Sequence, residues 1–537
     1  MAKRVVAIFA VFAILFGGIC LRLYDISTGG IRQVSFSERK YGIDISPVRG
    51  DIVDCNGEKL VSTDYENIVA AKPTHKALDT LSKVLDSEEY KLVEDRMKEA
   101  KAISVNIGKL EIDQNSDAVT LKRYLRYSEN QIADHMIGYI SGGGEGVMGI
   151  EKSYNSILCT GKTLSVKFNA DVYGRVLSGT EIEIENSTLR KSRVVLSVDK
   201  EIQTVVENAL DISGVEQGGA VVVDIETGAV RAIASRPDFD AANPSVSLGS
   251  TGSPFFNRTL NAFSVGSVFK VVVAAAAIEY GFGDFTYNCD GSCEIGNVTF
   301  SCNNKTAHGK LDICKALECS CNTFFIALAQ ATGGEKIRET ASLLGFGQEI
   351  RLADGIISSA GTLPTDDELK NAGALANFSF GQGKFTATML QLSNMVSAVA
   401  SKGKYRQPYI IESVEDSDGT VIESKKISAP VYALSEKVSA ELTEMLVSVI
   451  ENGNASKARL KNSVTAAGKT ATAQTGTFDK NSDELYNTWF AGFFPADNPR
   501  YTVVVLKQGG TSGAEDCAPV FKRIADKIYD LEKISKK

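Results

Sequence analysis

The longest uninterrupted apolar run lies near the start of the chain, from Val5 to Cys20 with Leu21 following, bracketed by Lys3 and Arg4 on one side and Arg22 on the other. At about 1.5 Å per residue, the stretch to Leu21 makes a helix of roughly 25 Å, which crosses a bilayer once if the flanking cations snorkel. The pattern predicts an uncleaved anchor over residues 5–21 behind a short tail, 1–4. Lys3 and Arg4 on the short side predict that this tail is cytoplasmic and that everything after Arg22 lies across the membrane.

Residues 22–190 are mixed and polar. Asn56-Gly57, between two short apolar runs, predicts a hairpin, and Leu78, Leu81, Val84 and Leu85 give residues 76–102 a helical spacing. Ser141 to Gly146 reads as a glycine-rich loop, and nothing in this region looks catalytic. A folded spacer is the expectation. From Arg193 onward the texture changes. Ala220 to Ala234 is two β-rich runs around Thr227-Gly228, and Thr488 to Phe494 pairs with Tyr501 to Leu506 around a proline-bounded turn. Between them, Val268 to Tyr280 is nearly all apolar and so a buried helix, with further helices at 324–331, 387–400 and 520–531. The expected class is α/β (α+β), a central antiparallel sheet flanked by helices over 191–537.

Composition narrows the functions available. With 43% hydrophobic residues the chain can bury a large core, so full-length disorder is excluded. A net charge of −8 offers no surplus of positive charge to follow a phosphate backbone, so no nucleic-acid partner is expected. Three histidines, no H-E-x-x-H and no C-x-x-C remove the common zinc-protease, zinc-ribbon and thioredoxin readings. The cysteines are less easily placed. Cys289, Cys293, Cys302, Cys319 and Cys321 crowd into residues 289–321. Three readings stay open: free thiols packed as small hydrophobes, a disulfide such as Cys289 or Cys293 with Cys302, or a metal or iron–sulfur site.

Three segments carry candidate chemistry. In Ser267-Val268-Phe269-Lys270 a helical turn sets a lysine beside a serine, and burial lowers a lysine's pKa enough for it to act as the base that the hydroxyl needs. The same spacing occurs from Ser37 to Lys40, Ser197 to Lys200 and Ser401 to Lys404, but only Ser267 follows a glycine and opens a long apolar helix. Ser320-Cys321-Asn322 offers a hydroxyl to relay a proton and an amide to hold a peptide. Ser301-Cys302-Asn303 repeats its letters among polar turn residues. Gly468 to Gln474, with Lys469, Thr470, Ala471 and Thr472, reads as a strand that could bind an extended peptide and a carboxylate.

The order Ser-x-x-Lys, Ser-x-Asn, Lys-Thr resembles the penicillin-binding proteins and serine β-lactamases. Arg49 to Gly57, Gly149 to Tyr154, Leu196 to Gln203, Asn257-Arg258, Ser379 to Gly383 and Trp489 to Phe493 extend the resemblance to the class B, monofunctional transpeptidases over nearly the whole chain. It implies peptidoglycan D,D-transpeptidation through a serine acyl-enzyme, inhibited by β-lactams, with stem peptides ending in D-Ala-D-Ala as substrate. By the same resemblance Ser267 is the nucleophile, Lys270 its base and Ser320 the proton relay. The backbone N–H groups of Ser267 and Thr472 form the oxyanion hole, Asn322 holds the donor peptide, and Lys469, Thr470 and Thr472 bind the carboxylate. No cofactor and no metal are expected, and a separate membrane glycan polymerase is the implied partner of the 22–190 spacer. The sequence departs from the family at Val265, where proline is usual, and at Ala471, where glycine is usual. A methyl at 471 is expected to tune substrate fit if its face meets the ligand. The alternatives are a D,D-carboxypeptidase or β-lactamase-like hydrolase, and a non-catalytic β-lactam sensor or scaffold.

Overall fold

In the computed structural model, which describes residues 2–28, 39–478, 480 and 482–535, the chain opens with helix α1, Ala2–Thr28. Its Lys3–Tyr24 portion is long and apolar enough to cross a membrane, and none of it is buried inside the protein. The flanking cations lie within the helix, because lysine and arginine are good helix formers and do not end it.

The chain forms two compact units. The first comprises Met1–Pro47, Tyr65–Tyr124 and Thr163–Ser187. Strands β1 (Asp64–Ala71), β2 (Ile103–Asn106) and β3 (Ala118–Leu125) make a sheet in the order β2-β1-β3. The helical spacing over 76–102 resolves into two helices, α2 (His75–Leu81) and α3 (Ser87–Met97). Asp86 divides them: its carboxylate accepts from the N–H groups of Glu88 and Glu89, and Glu89 completes a capping box. Val69, Leu81, Val93, Met97 and Ile103 form the core.

The second unit comprises Val48–Asp64, Leu125–Lys162 and Thr188–Lys537. The 22–190 region is thus interleaved, since two of its segments fold with the chain that follows Thr188. A strand pairing makes that link, and a buried ion cluster holds the two segments to each other. Asp51–Val53 pairs in parallel with Arg193–Val195, and the fully buried Glu151 carboxylate accepts from Arg49 Nε at 2.7 Å and Arg126 Nε at 2.6 Å. A buried carboxylate needs such partners, which ties the Arg49 segment to the Gly149 segment. At Asn56-Gly57 the turn is wider than a two-residue hairpin. Asp54 Oδ1 caps the N–H groups of Asn56 and Glu58, and Val53 bridges Lys59.

The central sheet of this unit is antiparallel. Beyond helix α4 (Lys200–Ile212) come β4 (Gly218–Asp224) and β5 (Val230–Arg236), the expected pair around Thr227-Gly228. Helix α5 (Lys270–Glu279) follows, preceded by a single 3₁₀ turn, Gly266–Phe269. The chain then makes four short strands, β6 (Tyr287–Cys289), β7 (Ser292–Ile295), β8 (Val298–Ser301) and β9 (Gly309–Leu311), and helices α6 (Ile313–Glu318), α7 (Asn322–Thr332), α8 (Met389–Ala400) and α9 (Glu436–Glu451). Strands β10 (Ala467–Phe478), β11 (Glu484–Phe494) and β12 (Tyr501–Gly510) and helix α10 (Gly513–Ser535) complete it. The strand order is β5-β4-β12-β11-β10, so β10 is an edge strand.

Val503 and Val504 of β12 pair with Val222 and Val221 of β4, and all four are buried, as is every residue of β11 from Asn487 to Phe494. Such continuous burial means that helices cover both faces. Contacts from α10 and α8 to β11 and β12 supply that cover. The uniformly apolar run from Val271 to Ala277 is likewise buried, as its composition predicts, with α5 packed against α7 and α9.

Candidate active site

Gly266 sets the first group in place. Its φ of +66° is left-handed, its N–H donates to Gly381 O at 2.9 Å, and a Cβ on it would lie 3.0 Å from Ala473 Cβ and 3.2 Å from Ala473 Cα. Only glycine brings the turn so close to β10 without strain. Gly381, also left-handed, faces back on Gly266 O, which accounts for the Ser379 to Gly383 motif. Phe269 anchors the same turn, its ring 4.6 Å from Phe378 and 4.3 Å from Phe385. Ser267 is left partly exposed and Lys270 fully buried. Ser267 thus sits on a 3₁₀ turn rather than at the first residue of an α-helix. Among the described residues its hydroxyl has no hydrogen bond to Lys270, a looseness common in sites without substrate.

The second group is a two-residue joint between helices. Ser320 N–H donates to Leu317 O at 3.3 Å and Cys321 N–H to Ala316 O at 3.0 Å, the paired bonds of a Schellman motif closing α6. Ser320 takes the left-handed position, φ +54°, where glycine is usual. Cys321 then caps α7, its sulfur accepting from Phe324 N–H at 3.4 Å. The result turns Ser320 and Asn322 toward Lys270 and Cys321 away. The left-handed Ser320 followed by the extended backbone of Cys321 produces this separation.

Lys270 Nζ donates to Asn322 Oδ1 and to Ser320 O, both at 2.7 Å, and lies 3.3 Å from Ser320 Oγ. From β10, Lys469 Nζ reaches the same hydroxyl at 3.1 Å. Both lysines are fully buried. Burial lowers Lys270 to about 8. It lowers Lys469 to about 7, with the neighbouring Lys270 ammonium adding to the effect. An amine is therefore available as a base near neutral pH, and Ser320 Oγ bridges the two nitrogens.

The strand places its other residues differently. Thr472 is exposed, and its Oγ1 accepts from Gly513 N–H at 3.2 Å. Thr470 is buried and donates to Asn454 Oδ1 at 3.2 Å, a partner sequence reasoning missed because it lies in the loop after α9. By strand alternation Ala471 shares a face with Lys469 and Ala473, but it is only 3% exposed and packs in the core, so protein already covers its methyl. That packing leaves little ligand contact for the methyl to tune.

The alternative serines are elsewhere engaged. Ser197 is buried and donates to the carbonyls of Val230 and Tyr409. Ser401 ends α8, and Ser37 lies outside the described residues. Ser301 contributes its carbonyl, which accepts from Asn322 Nδ2 at 2.9 Å. A cavity of about 630 Å³ lined by Lys59, Asp134, Glu207, Asp211 and Arg236 is a separate feature that shares none of these residues.

Known proteins share this architecture. Residues 218–526 match the penicillin binding protein transpeptidase domain. Penicillin-binding protein PbpB of Mycolicibacterium smegmatis is 28% identical over 568 aligned residues, covering 92% of this chain and 85% of that protein. Peptidoglycan D,D-transpeptidase FtsI of Escherichia coli is 28% identical over 419, covering 75% and 66%. The crystal structure of penicillin binding protein 3 from Mycobacterium tuberculosis complexed with aztreonam aligns with a TM-score of 0.66 at 24% identity, covering 91% of this chain and 97% of that one. At that identity the likeness shows a shared fold.

Proposed function

The chain belongs to the penicillin-binding protein transpeptidases and is a serine-type peptidoglycan D,D-transpeptidase, and we propose that Ser267, Lys270 and Ser320 carry the reaction. The observation behind this assignment is the Ser320 hydroxyl bridging two fully buried lysines beside the Ser267 turn.

Ser267 Oγ attacks the carbonyl of the penultimate D-alanine as its proton passes to neutral Lys270. Collapse of the tetrahedral intermediate expels the terminal D-alanine, whose nitrogen receives a proton through Ser320 from the lysine pair. The ester on Ser267 is then attacked by an amine of a neighbouring stem peptide, and Ser267 regains its proton. The N–H groups of Ser267 and Thr472 stabilise the oxyanion. Asn322 orients the donor peptide. Lys469 and the exposed Thr472 take the terminal carboxylate, while Thr470, on the same strand face as Thr472, is held by Asn454.

In the same reading α1 anchors the enzyme with its N-terminus in the cytoplasm and the catalytic unit outside, where stem peptides are found. Glycan strands come from a separate membrane polymerase that the 22–190 region contacts. The full chain in detergent, given uncross-linked glycan strands with pentapeptide stems, is expected to release D-alanine and form cross-linked stem dimers in equal amounts. Release without dimers would identify a carboxypeptidase instead.

A further inference from the structure

The segment between α5 and α6 is poorly built for independent stability. It is two nested two-stranded ribbons: β6 pairs with β9 from Tyr287↔Leu311 to Cys289↔Gly309, and β7 pairs with β8. The inner ribbon is largely solvent-facing, with Val298 exposed. A pair of strands with so little apolar burial is marginal in water, and small elements of this kind are usually stapled by a disulfide or a metal.

The ribbons meet the start of α7 through four soft donors. Cys289 ends β6, Cys302 follows β8, His308 precedes β9, and Cys321 caps α7. Cys289 Sγ is 3.7 Å from Cys302 Sγ and 3.4 Å from His308 Nδ1, and Cys302 Sγ is 3.6 Å from Cys321 Sγ. All four ligand atoms lie within 4.8 Å of one another, and the three cysteines are buried. A tetrahedral zinc ion with Zn–S near 2.3 Å and Zn–N near 2.0–2.1 Å has edges of about 3.8 Å between sulfurs and about 3.5 Å from sulfur to nitrogen. The three short separations match those edges. No disulfide uses all four groups, because joining two thiols leaves the third thiol and the imidazole unengaged.

We infer that Cys289, Cys302, His308 and Cys321 form a closed structural site for a divalent zinc ion, which fixes the Ser320–Asn322 joint from behind. This reverses the expectation of no metal and selects among the readings left open for the cysteines. Three thiolates and a neutral imidazole around Zn²⁺ carry one net negative charge, and three protons leave on binding. The surroundings suit that charge. Gly291 N–H donates to Cys289 Sγ and Phe324 N–H to Cys321 Sγ, both at 3.4 Å, and Thr323 Oγ1 donates to Cys289 Sγ at 3.1 Å. Cys321 also sits on the positive end of α7. With four protein ligands no position is open for substrate, so the ion's role is positional. It holds Cys321, and thereby the two neighbours that face Lys270, while Asn322 Nδ2 grips the ribbon at Ser301 O.

The test uses the full chain in detergent with a non-thiol reductant, purified from zinc-supplemented cells. Elemental analysis is expected to find about one zinc per chain. Titration of the apo-protein with cobalt should give thiolate-to-cobalt charge-transfer and tetrahedral ligand-field bands. Cys302→Ser and His308→Ala should lose most of the metal and label with penicillin about 10-fold or more slowly, still at one site. His308→Cys, which keeps a ligand, should retain both metal and rate, and Cys293→Ser and Cys314→Ser should change neither. A wild type without zinc or cobalt bands, metal retained in both ligand variants, or iron with stoichiometric sulfide would overturn the zinc site. The effect on labelling rests on the roles proposed for Ser320 and Asn322, whereas the metal count does not. Zinc lost without change in labelling rate overturns the positional role alone, and label away from Ser267 overturns the proposed mechanism.

Discussion

Asn322 Oδ1 lies 2.7 Å from Lys270 Nζ, so the second motif directly holds the lysine of the first. The amide's other end donates to Ser301 O, which fixes which atom faces the lysine. Asn322→Asp replaces a neutral acceptor with a carboxylate at nearly the same place. An opposite charge favours the ammonium, so Lys270 should rise from about 8, typically by 1 to 3 units at such range. The rising limb of the pH–acylation profile, which reports free amine, should move to higher pH by about as much. An unmoved limb would separate Lys270 from the base.

Lys469 stores an energetic cost at neutral pH. Its folded-state value of about 7 lies below its ordinary value of 10.5 because burial and the Lys270 ammonium oppose its charge. Below pH 7 the buried ammonium carries that penalty in full, and above 10.5 both folded and unfolded chains hold the neutral amine and the penalty vanishes. Lys469→Met should therefore raise the thermal midpoint, and by more at pH 6 than at pH 9.5, while abolishing β-lactam acylation. A lower midpoint at both values would contradict the cost assigned to burial.

Gly266→Ala puts a methyl on a left-handed residue 3.0 Å from Ala473 Cβ. The backbone conformation costs about 1 to 2 kcal/mol. Displacement of the turn should also move Ser267 against β10, and misplacements on the order of 1 Å cost about 100-fold in rate. Melting and acylation together measure both effects, and full activity would show that the close approach is dispensable.

Ala471→Gly removes a methyl that is already covered. The variant should lose about 0.5 to 1 kcal/mol of stability, as glycine in a strand does, with acylation rates for small and bulky β-lactams changing in parallel. A selective gain for bulky β-lactams would show that the methyl meets the ligand.

Much of this site was legible because its strongest signals are local. The all-apolar Val271 to Ala277 run gave the buried helix behind Ser267, and the β-compatible runs around Thr227-Gly228, from Gly468 to Gln474, from Thr488 to Phe494 and from Tyr501 to Leu506 gave the five strands. What escaped depends on distant residues or uncommon backbone states. Nothing in the letters Ser320-Cys321 announces a left-handed serine closing one helix and a cysteine opening the next. Asn454 meets Thr470 from 16 residues away. The four-donor cluster has intervals of 12, 5 and 12 residues, far from the tight spacings of common zinc motifs, and only the ribbon pairing brings it together.

In the proposed mechanism Ser267 is the acylated residue and Lys270 its base. The full chain in detergent is incubated with a fluorescent penicillin, digested, and the labelled peptide sequenced by mass spectrometry. The label should fall on Ser267 alone, vanish in Ser267→Ala with the thermal midpoint little changed, and drop by orders of magnitude in Lys270→Ala. Label on Ser197, Ser401 or Ser37, or wild-type labelling without Lys270, would contradict it.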